Sequence, residues 1–196
     1  MAGEATKILP LWLQAYSMKT SDKGIELIHS WEQFRHKAYA DSGGTWTVGW
    51  GSTRIFGRSV RKGDYVTKEE GDEQFRKDLA YFENAVESYV KVGVNQNQYD
   101  ALLSLCYNIG AGGLKRSKVL KYLNENNLYK AGESFMRHIY TRHRKTKKLI
   151  KLRGLVRRRK AEKELFLSVT PDFSKLKPRG MIKYVIKWKR FGGYEV

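Results

Sequence analysis

The sequence predicts an α+β fold in which a short antiparallel sheet is joined by one long helix to a mainly helical remainder. Three observations carry that prediction. The stretch "TWTVGWG" (45–51) alternates apolar and small polar residues behind a turn-forming Ser42-Gly43-Gly44. A capping box at Thr67-Lys68-Glu69-Glu70 opens an apolar pattern of about six helical turns. From Asn95 to Leu167, one helical spacing then follows another.

Each element can be justified in order. Residues 1–20 read as a loosely structured arm. Ser21-Asp22 supplies an N-cap, after which Ile25, Ile28, Trp31 and Phe34 recur at a helical spacing that fades by Ala38. Tyr39-Ala40-Asp41, the turn and "TWTVGWG" form a hairpin, with Trp46, Val48 and Trp50 on one face and Thr45, Thr47 and Gly49 on the other. A third short strand is expected near Arg58 to Val60. Phe75, Leu79, Phe82, Val86 and Val90 mark the long helix behind the Thr67 cap. Asn95 and Gln98 start the next helix, whose apolar face carries Tyr99, Leu102, Leu103 and Cys106 and which stops near Gly110-Ala111-Gly112-Gly113. Shorter helices are expected over 117–125 and 129–140, and "GLVRRRKAEKELFL" (154–167) as a final helix. Thr170-Pro171 marks a boundary. The organisation is therefore an arm (1–20), a domain over 21–167 with lobes 21–66 and 91–167 linked by helix 68–90, and a basic tail (168–196).

Composition narrows the function. At 196 residues, 41% hydrophobic, with 5 Trp, 12 Tyr and 8 Phe, the chain can bury a sizeable core and is not disordered. Lys and Arg number 38 against 20 Asp and Glu, a net charge of +18, which points to a polyanionic partner. No zinc-finger, RRM or KH signature accompanies that charge, so no specific nucleic-acid binding is expected. A single Cys106 excludes an intrachain disulfide framework. The apolar run from Ile8 to Tyr16 is broken by Pro10 and Gln14, too short to span a bilayer and without a signal peptide's flanks. His138 and His143 read as surface residues lacking a third ligand; neither metal nor cofactor is expected.

The chemistry concentrates in "WEQFRHKAYADSGGTWTVGWGST" (31–53). Two carboxylates across a cleft can break a glycosidic bond, one donating a proton to the leaving oxygen and the other remaining ionised. Glu32, beside Trp31 and Phe34, sits where desolvation favours the neutral acid. Asp41 adjoins the turn, where backbone amides and water favour the charged form, and Thr47 on the facing strand can hold a water near it.

The pattern E-x8-D-x5-T followed by "VGWGST" resembles the signature of the phage-type lysozymes, the glycoside hydrolase family of the T4 and P22 endolysins. "VRKGDYVTKEEGDEQFRKDL", "VNQNQYDALLSLCYNIGAGGLKRSKVLKYLN" and "RGLVRRRKAEKELF" resemble later blocks of that family in the same order, so the likeness spans residues 24–167. It implies a lysozyme-like α+β fold with a cleft between the lobes and hydrolysis of the β-1,4 bond between N-acetylmuramic acid and N-acetylglucosamine in peptidoglycan, for host-cell lysis. Glu32 then matches the general acid, Asp41 the second carboxylate and Thr47 the catalytic threonine. Arg158 matches an arginine that ion-pairs with the acid, with Arg157 and Arg159 one residue away. Thr53, Tyr107 and Ser117 fall where family members touch saccharide.

Two departures are visible. Ser52 stands where many members carry a histidine that supports structure through an ion pair with an aspartate. Before Gly154, "HIYTRHRKTKKLIKLRGL" lacks the Trp and Pro common there. From Arg137 to Lys160 lie twelve Lys or Arg and no acid, and seven more lie between Pro171 and Val196 against two acids. These regions imply contact with an anionic outer-membrane or lipid surface; "MIKYVIKWKRF" in the tail reads as a basic amphipathic segment. The alternative function is therefore a cationic membrane-permeabilising or polymer-binding protein on the same scaffold. A monomer is expected, made in the host cytoplasm and reaching the wall after holin-type release or as part of a virion.

Overall fold

The computed structural model describes residues 18–41, 43–142 and 146–168. The 1–17 part of the expected arm, Ser42, His143 and the tail beyond Ser168 lie outside the described residues.

Helix α1 (Asp22–His29) starts where Ser21 accepts the Gly24 N–H. Two buried carboxylates strap that start to the body. Asp100 accepts from the Ser21 amide and hydroxyl, at 3.1 and 2.5 Å, and Glu83 accepts from the Thr20 amide and hydroxyl, at 2.9 and 2.7 Å. Gly24 is required here, because a Cβ would come within 2.7 Å of the Asp100 carboxyl. The helix ends at His29, earlier than the spacing through Phe34 suggested, and Arg35–Ala40 is strand β1. Phe34 joins a different apolar cluster, so its place in the helical spacing is coincidental.

Strand β1 pairs antiparallel with β2 (Trp46–Gly49), Tyr39 opposite Thr47 and Ala40 opposite Trp46, with a bulge between Arg35 and Tyr39. The expected polar face of β2 is covered as well: Thr47, Val48 and Gly49 are all buried. A second ribbon, β3 (Arg54–Ile55) with β4 (Arg58–Ser59), supplies the strand expected near Arg58. Val48, Ile55, Val60 and Val66 form the small core of this region, with Phe34, Ala38 and Trp46 packed against it.

Helix α2 (Lys68–Tyr89) carries the predicted capping box between Thr67 and Glu70. Its Gly71 lets the Phe34 ring approach the backbone; a Cβ there would sit 2.4 Å from the ring. Helix α3 (Gln96–Ile109) opens on the Asn95–Gln98 capping box and is buried from Gln98 to Cys106. Its Leu102, Leu103 and Leu105 are fully enclosed, each contributing about 2 kcal/mol. Gly110 at φ +78° ends α3, but the glycine-rich stretch read as a stop forms a further short helix, α4 (Ala111–Lys115). Then come α5 (Lys118–Asn124) and α6 (Leu128–Ser134), which passes into a 3₁₀ turn at Phe135–Arg137 in place of the longer helix expected to 140. A third ribbon, β5 (Tyr140–Arg142) with β6 (Leu149–Lys151), was not expected; it leads into α7 (Arg153–Leu167). Helix α7 packs along α3, placing Phe166 and Leu165 in the main core with Phe75, Leu102 and Phe135.

Candidate active site

The turn after α1 carries Glu32. Trp31 and Glu32 both donate their amides to the Ile28 carbonyl, at 3.0 and 3.2 Å, which lifts the Glu32 side chain off the helix. Its Oε1 accepts from Arg158 Nη1 at 2.6 Å, and the carboxylate is one-fifth exposed. Its Oε2 faces Gly51, where a Cβ would intrude to 3.3 Å and where φ is +97°. The surroundings expected to be apolar are therefore mixed, with a guanidinium on one oxygen.

Arg158 is held rather than loosely offered. Its Nε donates to Glu162 Oε1 at 3.0 Å and its Nη2 to the Ser104 carbonyl at 3.1 Å. Glu162, fully buried, also accepts from Ser104 Oγ at 2.7 Å and Arg159 Nη2 at 2.9 Å. Burial raises the Glu162 pKa and lowers that of Arg159 to about 10, since neither charge is hydrated. Two acids and two guanidiniums thus alternate from the partly exposed Glu32 into the core and neutralise one another. Of the three arginines in register, Arg158 meets Glu32, Arg159 turns inward and Arg157 is exposed.

Asp41 occupies the hairpin turn. Its Oδ1 accepts the Gly43 and Thr45 amides, each at 2.8 Å, and its own amide donates to the Thr45 carbonyl at 2.9 Å. Thr47 is buried and donates its hydroxyl to the Thr45 carbonyl at 3.1 Å. Tyr39 stands opposite Thr47: burial raises its phenol pKa, and the charges of Glu32 and Asp41 add to that rise while Arg35, 4.4 Å above the ring, opposes it.

A cavity of about 740 Å³ opens beside Gly51, lined by Ser52, Thr53, Asp78 and Tyr107 among others. Tyr107 donates its hydroxyl to the Trp50 carbonyl at 3.1 Å; burial, then the charges of Asp78 and Glu32, push its pKa well above the usual phenol range. Ser52 donates to Asp78 Oδ2 at 2.5 Å, so a link between strand turn and α2 exists without a histidine. Of the expected saccharide contacts, Thr53 and Tyr107 line this cavity. Ser117 lies elsewhere, buried at the start of α5, where it accepts the Leu120 amide at 3.0 Å. His138, read as a surface residue, is half-buried with Nε2 enclosed, and burial followed by Arg159 lowers its pKa. Sequence reasoning did not single out Tyr39, Gly51, Ser104 or Glu162. The i, i+4 spacing of Arg158 and Glu162 was the available signal for one of them.

Comparison with known proteins bears on this arrangement. The phage lysozyme family model matches residues 29–162. The endolysin of Salmonella phage P22 is 40% identical over 152 residues, covering 77% of this chain and 99% of that protein. The endolysin of Acyrthosiphon pisum secondary endosymbiont phage 1 is 38% identical over 151 residues, with the same 77% and 99% coverage. The solved endolysin from Escherichia coli O157:H7 phage FAHEc1 aligns with a TM-score of 0.70 at 33% identity, over 79% of this chain and 98% of that one. The class is thereby defined as a lysozyme-type glycoside hydrolase on an α+β lysozyme-like fold. Within it, the chain belongs to the phage lysozyme family, whose endolysins lyse the host cell wall.

Proposed function

We propose that the chain hydrolyses the β-1,4 bond between N-acetylmuramic acid and N-acetylglucosamine in peptidoglycan, with Glu32 as general acid. The observation that carries this reading is the 2.6 Å contact from Arg158 to Glu32 Oε1, made by an arginine that is itself fixed on Glu162 and Ser104. One carboxylate oxygen is thereby occupied and the other, Oε2, lies beside Gly51, where no side chain stands in its way. Oε2 is the atom from which a proton passes to the glycosidic oxygen. Arg158 acts as a positioning residue, holding the acid so that proton donation needs no reorientation.

Asp41 and Thr47 position or activate the attacking species below the sugar ring. Two amides fix Asp41 Oδ1, leaving the second oxygen to face a water or the anomeric carbon. Thr47 donates its hydroxyl hydrogen bond to the Thr45 carbonyl, so its oxygen lone pairs are the part available to a water. The polymer enters a cleft between the lobes 21–66 and 91–167, and Thr53 and Tyr107 contact it from the cavity beside Gly51. The chain acts as a monomer on the wall.

The test is release of reducing ends from purified peptidoglycan by wild type and Glu32→Gln. The variant keeps a carbonyl acceptor for Arg158, but its amide is too weak an acid to protonate the leaving oxygen, so the rate should fall by about 10² to 10⁴ with the unfolding midpoint little changed. Unaltered release by Glu32→Gln removes Glu32 from the role of acid.

A further inference from the structure

We propose that the β5–β6 ribbon, with the groove at its base, is a docking surface for an anionic lipid bilayer. This rests on a different part of the molecule from the hydrolytic site and does not depend on it.

Among the described residues, ribbon β5–β6 has no core on either side. Tyr140 pairs with Lys151, Thr141 with Ile150 and Arg142 with Leu149, so Leu149 and Ile150 point to opposite faces. Both faces are nevertheless open: Leu149 is 63% exposed, Ile150 39%, and Leu152, just beyond, 37%. A two-stranded ribbon bare on both faces is marginal by itself, and exposing three neighbouring aliphatics to water is unfavourable without a partner. Arg142, Lys147, Lys148, Lys151 and Arg153 are exposed among these aliphatics. Between Glu133 and Glu162 the sequence has no acid to neutralise them. Where the ribbon runs into α7, Lys151, Arg153, Val156 and Arg157 line a groove of about 720 Å³. That space is cationic with one apolar wall.

The mixture selects the partner. A nucleic acid or anionic glycan would be satisfied by the cations alone and would gain little from Leu149, Ile150 and Leu152. A bilayer uses both: headgroup phosphates meet the Lys and Arg, while the aliphatic side chains enter the headgroup–acyl boundary. The groove beside Arg153 and Arg157 suits a phosphate headgroup, with Val156 toward its apolar end.

The experiment is co-sedimentation of the full chain with vesicles of phosphatidylglycerol mixed with phosphatidylcholine, and with phosphatidylcholine alone. Wild type is compared with Leu149→Ser/Ile150→Ser and with Lys147→Gln/Lys148→Gln. Expected are binding to the anionic vesicles only, weakening with salt, and a loss of about tenfold or more in the apolar variant. The charge variant should also weaken, while both variants release reducing ends from purified peptidoglycan as wild type does. Binding by the apolar variant equal to wild type would overturn the proposal, because the contact would then lie elsewhere, as in the basic tail. Equal binding of wild type to neutral vesicles would overturn it too. So would duplex DNA that displaces the vesicles yet binds both variants and wild type alike, since the surface would then be a general polyanion site.

Discussion

Two antiparallel ribbons sit at opposite extremes of packing in this molecule. In β1–β2, Val48 is enclosed by Phe34, Trp46 and Val66, and the turn is tied by Asp41 to two backbone amides. In β5–β6 the aliphatic side chains face outward and the cations surround them. Sheet hydrogen bonding is common to both; packing is not. The first ribbon gains a fixed geometry from its core, which the roles proposed for Asp41 and Thr47 would require. The second has no core to fix it, and a surface whose partner is deformable needs none. The same local structure is thus suited to chemistry or to adhesion according to what lies beneath it.

This contrast can be broken at several points. The largest effect should come from Glu162→Ala, which leaves Arg158 and Arg159 buried against each other without their shared carboxylate. Urea denaturation should show a loss of about 3–5 kcal/mol, the scale of an uncompensated buried charge. A loss near that of a surface pair, about 0–1 kcal/mol, would mean the network is not what fastens the Glu32 side of the cleft. Gly51→Ala comes next. At φ +97°, with Glu32 Oε2 3.3 Å from the new carbon, it should cost about 1–2 kcal/mol and also slow reducing-end release. Full activity in that variant would show that the space beside Oε2 is unimportant. The smallest effect belongs to the other ribbon: Leu149→Ser/Ile150→Ser should shift stability by less than about 0.5 kcal/mol. A larger loss would show that β5–β6 packs more than its exposure indicates, and the contrast would narrow.

What the sequence revealed follows the same division. The capping boxes at Thr67 and Asn95 and the helices behind them were readable because local hydrogen bonding and apolar spacing agree there. The end of α1 was not, because Trp31 and Phe34 continue the spacing by accident while the chain has already turned. Helix α4 was hidden by its glycines. Ribbon β5–β6 was hidden because strands bare on both faces show no alternation, and the basic run masked the little apolar pattern present. In the candidate site, Glu32, Asp41 and Thr47 could be named only through the resemblance of their spacing to the phage-type lysozyme signature, and their roles are proposals; the Arg158 contact with Glu32, expected from the same resemblance, is present. Ser104 and Tyr39 were not legible, since one acts through its carbonyl as well as its hydroxyl and the other through its place across a strand pair.

Ser52 and Asp78 carry a last consequence. An imidazole–carboxylate link dissolves when either partner changes its charge, so a joint built that way loosens at both ends of the pH scale. A hydroxyl has no such transition. Asp78 is half-buried, and that burial raises its pKa against the opposing hydrogen bonds from Ser52 and Gln74. The folded state therefore takes up the Asp78 proton more readily than the unfolded chain. The folded chain then gains stability as the medium acidifies through the folded pKa and loses it above, while the hydrogen bonds from Ser52 and Gln74, which favour the charged carboxylate, weaken on protonation. The join between the strand turn and the long helix thus has one titrating partner where an imidazole–carboxylate pair would have two.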